Sequence, residues 1–429
     1  MPEQNFSKII TKLSQDISSY RQSIFTCFVY SLICSANNKC VSAIWERFSP
    51  LFCGDTVSNK RFYNFLNSSK LPWRKLRLAL INMMGDRALT GGKVILAIDD
   101  STYSKTGKKI EGAATHFDHA AKMNSSSYIW GHCRVVTGVL SFVKGRWAMI
   151  PLLQNNYVPV KQKEDGKTKV EIAYDHIVTM AEDFSNEILV TCDSWFAVKN
   201  LIKNVQKNPQ IVHFLSRLRI NSALFTLPEE QKGGRGRPAK YGDRIESVLA
   251  LGKSLKNQSK KAQVFIYSNK REVEYSETIV MSKALQQKIK IIFIYLRSGR
   301  VFPLFTTDLE LSAEEAIEYY SARWKIESGF KELKHELGAL DNQCRKANAV
   351  EAHFNMACLS MATVWIYAMD LSEAPKKRNP QSRHYSFADI RSQIETELIT
   401  DANVFHKLCP DSVKTAGKYL LNKILGRVA

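Results

Sequence analysis

The segment GGKVILAIDDST, residues 91–102, limits the possible folds of this chain more than any other stretch. An unbroken apolar run from Val94 to Ile98 is preceded by two glycines and ends at two aspartates. A strand with one face in water alternates polar and apolar residues, whereas one that is apolar at every position is covered on both faces. A second run of this kind, EILVTCDSW at 187–195, also ends in an acid, Asp193. Between the two, Tyr128 to Val143 and Arg146 to Leu153 read as strands joined by a Lys144-Gly145 turn. A helix follows, with Val170, Ala173, Tyr174, Ile177 and Met180 at helical spacing. A further helix over about 196–206 and the strand IVHFLSRLRI come after Asp193. Three strands in hairpin order, then alternating helix and strand, predict an α/β fold with a mixed sheet flanked by helices.

The rest of the chain divides around that core. Residues 1–88 read as short amphipathic helices, and SNKRFYNFLNSSKLPWRKLRLALINMM combines an aromatic stripe with basic side chains, as a helical N-terminal DNA-binding domain would. The first part of the core is expected over 89–218 and a β-rich insertion over 219–287. In that insertion, residues 231–261 hold nine Lys or Arg against two acids. The core resumes over 288–372 with a hairpin around Ser298 and Gly299 and a helix capped by Ser312. A linker and C-terminal helical segment occupy 373–429. Composition adds a partner class. With 61 Lys and Arg against 41 Asp and Glu, the formal charge is +20, a field that attracts polyanions such as nucleic acid. The nine scattered cysteines form no C-x-x-C pair, which points to a reducing compartment rather than a disulfide or zinc framework. The first residues lack a signal-peptide pattern, and the longest apolar stretch, Ala357 to Met369, is too short to span a bilayer. A cytosolic protein with no membrane partner is expected.

Several polar residues are candidates for chemistry. Asp100 and Asp193 each end a buried strand, and Glu327 lies on a later helix. Carboxylates converging from strand ends are natural ligands for Mg²⁺ or Mn²⁺, and equally each Asp suits a turn or a helix cap. In YYSARWKIESGFKELKHELG, residues 319–338, about 100° per residue puts Tyr320, Arg323, Glu327 and Lys334 on one stripe beside an apolar face. A solvated face, or a plain Arg323–Glu327 i,i+4 pair, fits the same spacing. RGRP at 235–238 matches the core of an AT-hook, whose Arg235 and Arg237 would enter an A·T minor groove, contact phosphates or stay solvated. Lys105, Lys108 and Lys109 follow the first acid on a loop suited to DNA contact or to solvent. His132 reads as a core histidine. His116, Asp118 and His119 have a ligand-like spacing with no further ligand in view.

The order IDDST, VTCDSW and Y-x2-R-x3-E-x6-K, with the flanking RWKIE, resembles the bacterial insertion-sequence transposases of the DDE class over about residues 90–372. The resemblance implies an RNase H-like core with a β-rich insertion. It implies Asp100, Asp193 and Glu327 as the metal-binding catalytic triad with two Mg²⁺ or Mn²⁺ ions. Asp100 is chosen over Asp99 because a hydroxyl residue follows it. Tyr320, Arg323, Lys334 and Trp324 would contact DNA. The implied activity is cleavage at the inverted terminal repeats of an element and cut-and-paste joining of the 3′-hydroxyls to target DNA, by a homodimer in the bacterial cytosol at the nucleoid. The rival functions are a transposase-derived DNA-binding regulator that no longer cuts and an RNase H-fold junction nuclease. The family's insertion often carries a tryptophan that stacks on a flipped base; this insertion has none, and Phe225, Tyr241 or Phe302 would take its place.

Overall fold

The computed structural model describes residues 5–36, 38–53, 57–118, 126–159, 166–228, 239–267 and 269–400. Arg235 and Arg237, His119 and everything after Thr400 lie outside these residues. The chain forms two compact units. One comprises Met1–Ala88, Asp100–Thr168 and Glu327–Ala429, the other Leu89–Asp99 and Lys169–Ile326.

In the first unit, five helices open the chain: α1 (Phe6–Ser14), α2 (Ser19–Cys34), α3 (Val41–Phe52), α4 (Asn59–Leu66) and α5 (Trp73–Met84). Helices α1, α2, α4 and α5 pack on α11 (Ala347–Asp370), which is buried along almost its whole length, and α3 packs on α2 and α4. A helix that is apolar all round has nowhere to sit except a core. No helix among the described residues is long and apolar enough to cross a membrane. The strands β4 (Tyr128–Val143) and β5 (Arg146–Tyr157) form a long antiparallel hairpin that packs on α11, with the short β3 (Ala114–Phe117) paired to the first residues of β4. The hairpin closes at Lys144 and Gly145, with φ of 44° and 87°, the double positive-φ turn that matches strand twist. The helix α12 (Phe387–Thr400) rests on α2 and α11.

The strand β2 (Lys93–Ser104) belongs to both units, its residues through Asp99 to the second and the remainder to the first. Its far end lies beside β4, and Lys105 N–H donates to the Trp130 carbonyl at 2.9 Å. In the second unit β2 is flanked by the two-residue β1 (Leu89–Thr90) and runs parallel to β6 (Ile188–Cys192), which runs parallel to β7 (Val212–Arg217). The helices α6 (Lys169–Asp183) and α7 (Lys199–Val205) supply the crossovers. Hairpin strands β2, β4 and β5 followed by parallel β6 and β7 make an RNase H-like mixed sheet. Val94 to Ile98 and the whole of β6 are buried, which is why these segments carry no alternation.

Beyond β7 the sheet is antiparallel, in the order β7, β12 (Val301–Thr306), β11 (Gln287–Tyr295), β10 (Asn269–Ser282) and β8 (Leu224–Phe225), with β9 (Lys260–Ile266) also on β10. Of these strands β8, β9 and β10 fall within residues 219–287, which also contain the short α8 (Val248–Ser254). The helix α9 (Ala313–Ala322) opens with a full capping box: Ser312 Oγ accepts from Glu315 N–H, and the Glu315 carboxylate accepts from Ser312 N–H. A second helical segment, α10 (Lys325–Lys331), runs directly into a π-helical turn over Glu332–Glu336.

Candidate active site

In the second unit the parallel register of β2 and β6 ends at Ile98 opposite Cys192, one residue before an aspartate on each strand. Asp193 is half-buried, and its Oδ1 accepts from the N–H groups of Trp195 at 3.0 Å and Phe196 at 3.1 Å. This short-range turn fixes the carboxylate at the strand end. Phe196 is buried beneath it, while Trp195 is 47% exposed with the Lys169 ammonium 5.5 Å from its ring centroid. The guanidinium of Arg219 grips the Ser194 carbonyl, with contacts of 2.6 and 3.1 Å.

Arg323 caps the end of α9, is buried, and reaches Asp99 Oδ2 at 3.4 Å. Its guanidinium also lies 5.5 Å from the Tyr320 ring centroid. Tyr320 in turn packs at 6.1 Å from Phe302, over which Arg217 sits at 4.9 Å. Burial raises the pKa of the Tyr320 hydroxyl, with Arg323 opposing it, so this group remains a proton donor. The Cys192 thiol is pushed well up, by burial first and by Asp193 second, and stays uncharged. This corner of the second unit therefore holds Asp99, Asp193, Arg323 and a neutral Tyr320.

The first unit carries Asp100, Glu327 and Lys334. Asp100 is half-buried and accepts a hydrogen bond from the Cys133 thiol of β4, sulfur to oxygen 3.3 Å. Glu327, also half-buried, stands in the first turn of α10. Lys334 lies in the π-helical turn, where its ammonium donates to Ser101 Oγ at 2.7 Å and sits 4.7 Å from the Tyr103 ring centroid. Burial lowers its pKa. Lys105 points into the protein fabric: Nζ donates to the carbonyls of Leu340 and Asn342 at 2.7 and 2.8 Å, and burial pulls its pKa down to about 8.

The uniform helical stripe expected for 320–334 does not form. The helix tightens to i→i+3 bonding at Ser321–Trp324 and Arg323–Ile326, then widens to an i→i+5 bond from Leu337 N–H to the Glu332 carbonyl. Uniform steps of 100° fail across both irregularities, and the division into units falls between Ile326 and Glu327. Arg323 thus pairs with Asp99, and Lys334 with Ser101. Trp324, at the break, is 48% exposed and meets the exposed Tyr267 edge-on at 6.5 Å. Phe225 and Tyr241 pack on one another at 5.1 Å.

Sequence reasoning set Asp99 aside in favour of Asp100 and gave no role to Ser101, Cys133 and Trp195. Signals existed for three of them: Asp99 and Ser101 flank the chosen acid, and Trp195 is an aromatic two residues beyond Asp193. Cys133 had none. His132 is the buried core histidine expected. Its Nε2 donates to the Glu111 carbonyl at 3.2 Å, and burial, aided by the Arg134 charge, lowers its pKa to about 4. His116 is likewise buried, its ring 6.0 Å from that of Tyr157.

Among the described residues, no group of three or more His, Cys, Asp or Glu lies close enough together to hold a metal ion. Asp100, Asp193 and Glu327 are each half-buried carboxylates, and carboxylate oxygens are the donors that hard cations such as Mg²⁺ and Mn²⁺ take.

Comparison with known proteins adds the family. No curated protein matches the chain. Among solved structures, a piggyBac transposase synaptic complex with hairpin DNA, determined by cryo-electron microscopy, is similar at 12% identity. The match covers 98% of this chain and 81% of that one, with a TM-score of 0.43, a loose likeness. A family described as DDE superfamily endonuclease matches residues 12–271, well over half of the chain. The strand-end acids thus stand in a protein that belongs to the DDE superfamily endonucleases.

Proposed function

We propose that this DDE superfamily endonuclease is the transposase of an insertion sequence. In this reading it binds the inverted terminal repeats, cuts the DNA there and joins the 3′-hydroxyls to target DNA, acting as a homodimer. The observation that carries the reading is the parallel pairing of β2 and β6, which stops at Ile98 and Cys192 and is followed by Asp99 and Asp100 on β2 and by Asp193 just past β6. Neighbouring parallel strands that end in acids are what a family of metal-dependent DNA-cutting enzymes requires.

Asp100, Asp193 and Glu327 are the proposed metal ligands. Two Mg²⁺ or Mn²⁺ ions bound there would supply Lewis-acid activation of a water or hydroxyl nucleophile and stabilisation of the leaving oxygen. The remaining work falls to the chain's own side chains. Tyr320, held neutral by burial, donates a hydrogen bond to a phosphate oxygen while its ring stays packed on Phe302. Arg323 and Lys334 hold the backbone on either side of the scissile bond, so that the attacking and leaving oxygens lie in line. Arg323 is oriented for this by Asp99, and Lys334 by Ser101. Each cation therefore has a partner that fixes its direction before DNA arrives.

The reading is tested with duplex carrying the element's own ends. With Mg²⁺ present, Asp193→Asn and Glu327→Gln are expected to lower cleavage by at least about 10³-fold, as loss of a principal catalytic group does. End binding should persist, because affinity comes mainly from phosphate contacts. Cleavage at the wild-type rate by Glu327→Gln would remove Glu327 from the site.

A further inference from the structure

The first unit contains a groove of about 600 Å³ between residues 104–110, which follow Asp100, and residues 340–345, which follow the Lys334 turn. Its exposed cations are Lys108, Lys109 and Arg345. Among its described lining residues the one acid is Asp341, whose carboxylate is engaged by the Lys39 N–H at 2.8 Å.

The walls are cross-braced. Lys105, the lysine expected at the DNA, instead ties the first wall to the second through the carbonyls of Leu340 and Asn342. Glu111 N–H donates to the Arg345 carbonyl at 2.9 Å, and Ala347 N–H donates to the Glu111 carboxylate at 2.9 Å. The side chain of Asn342 accepts from Cys344 N–H at 2.8 Å, and the indole of Trp130 donates to the Gly107 carbonyl at 3.0 Å. Both loops are therefore held in place without a ligand, and the three outer cations project from a fixed frame.

We propose that this groove is a track for the sugar-phosphate backbone of duplex DNA, with Lys108, Lys109 and Arg345 as its phosphate contacts and Lys105 as the brace that shapes it. The inference rests on the transposase reading for the identity of the polyanion. Its chemistry is independent of the metal site: cations on a preorganised frame bind phosphates with little ordering cost. A small organic ligand is disfavoured, because such sites are mostly apolar and this lining is mostly charged and amide groups.

The test uses the full chain without divalent metal, with fluorescence anisotropy on two duplexes, one carrying the element's end and one of unrelated sequence. The triple variant Lys108→Ala, Lys109→Ala, Arg345→Ala is expected to flatten the slope of log K against log salt by about 2 to 3 on at least one duplex, at roughly 0.9 per phosphate. The charge-conserving variant Lys108→Arg, Lys109→Arg, Arg345→Lys should keep the wild-type slope. A change confined to the end duplex assigns the track to element DNA. A change on both duplexes, with loss of joining by pre-cut ends in a parallel assay with Mg²⁺, assigns it to target DNA. An unchanged slope on both duplexes overturns the track, and leaves the transposase reading standing if wild type still cuts its ends. Wild type that binds neither duplex overturns both.

Discussion

Asp99 and Asp100 are adjacent in sequence yet meet different partners. Asp99 reaches Arg323 at 3.4 Å, and Asp100 accepts from the Cys133 thiol at 3.3 Å. Successive side chains on a strand point to opposite faces, so one cannot stand in for the other without a register slip. Asp99→Asn is expected to free Arg323 from its orienting charge and weaken end binding by about 10-fold, the scale of a lost charge-assisted hydrogen bond, with the single-turnover cleavage rate at saturating protein little changed. Asp100→Asn should do the reverse, sparing binding and abolishing cleavage. A binding titration beside a single-turnover rate for each variant separates them. An Asp99→Asn enzyme that binds normally and cannot cut would move the first acid by one position.

At the scale of elements, α9 depends on local chemistry. The Ser312 hydroxyl and the Glu315 carboxylate each satisfy an N–H that the first turn leaves open. Ser312→Ala should cost about 1 kcal/mol, measured as a shift in urea midpoint with unchanged slope; no shift would mean that packing alone holds the helix start. That cap was legible in the sequence because its signal spans four residues. Strands β2 and β6 were legible for a similar reason, since Val94 to Ile98 and Ile188 to Cys192 are apolar without a break. The interruption at Arg323–Trp324 and the π-helical turn at Glu332–Glu336 were not. Ile326, Phe330, Leu333 and Leu337 are all buried and keep helical spacing, so periodicity ran straight through both irregularities. The consequence falls on the site. Tyr320, Arg323, Glu327 and Lys334 were readable as candidates, but the irregular backbone hydrogen bonds between them are ones that no side-chain pattern encodes. Lys105 shows the same limit, because its partners are carbonyls more than 230 residues away in sequence.

For the whole molecule, the family match ends at residue 271 and so includes Asp100 and Asp193 but stops short of Glu327. The proposal therefore asks most of Glu327, and its membership of the metal site calls for a measurement that does not rely on cutting. A ligand that binds the folded chain and not the unfolded one raises stability by RT ln(1 + [L]/Kd), about 2.7 kcal/mol at 100 times Kd. Mg²⁺ or Mn²⁺ at saturation is thus expected to raise the thermal midpoint of wild type by a few degrees, and chelation should reverse the shift. Glu327→Gln, Asp100→Asn and Asp193→Asn should each lose most of it. Ionic strength must be matched with a monovalent salt, since a chain of net charge +20 responds to screening alone. An equal metal-induced rise in wild type and in all three variants would place the divalent ions elsewhere on the protein, and these carboxylates would then need another role.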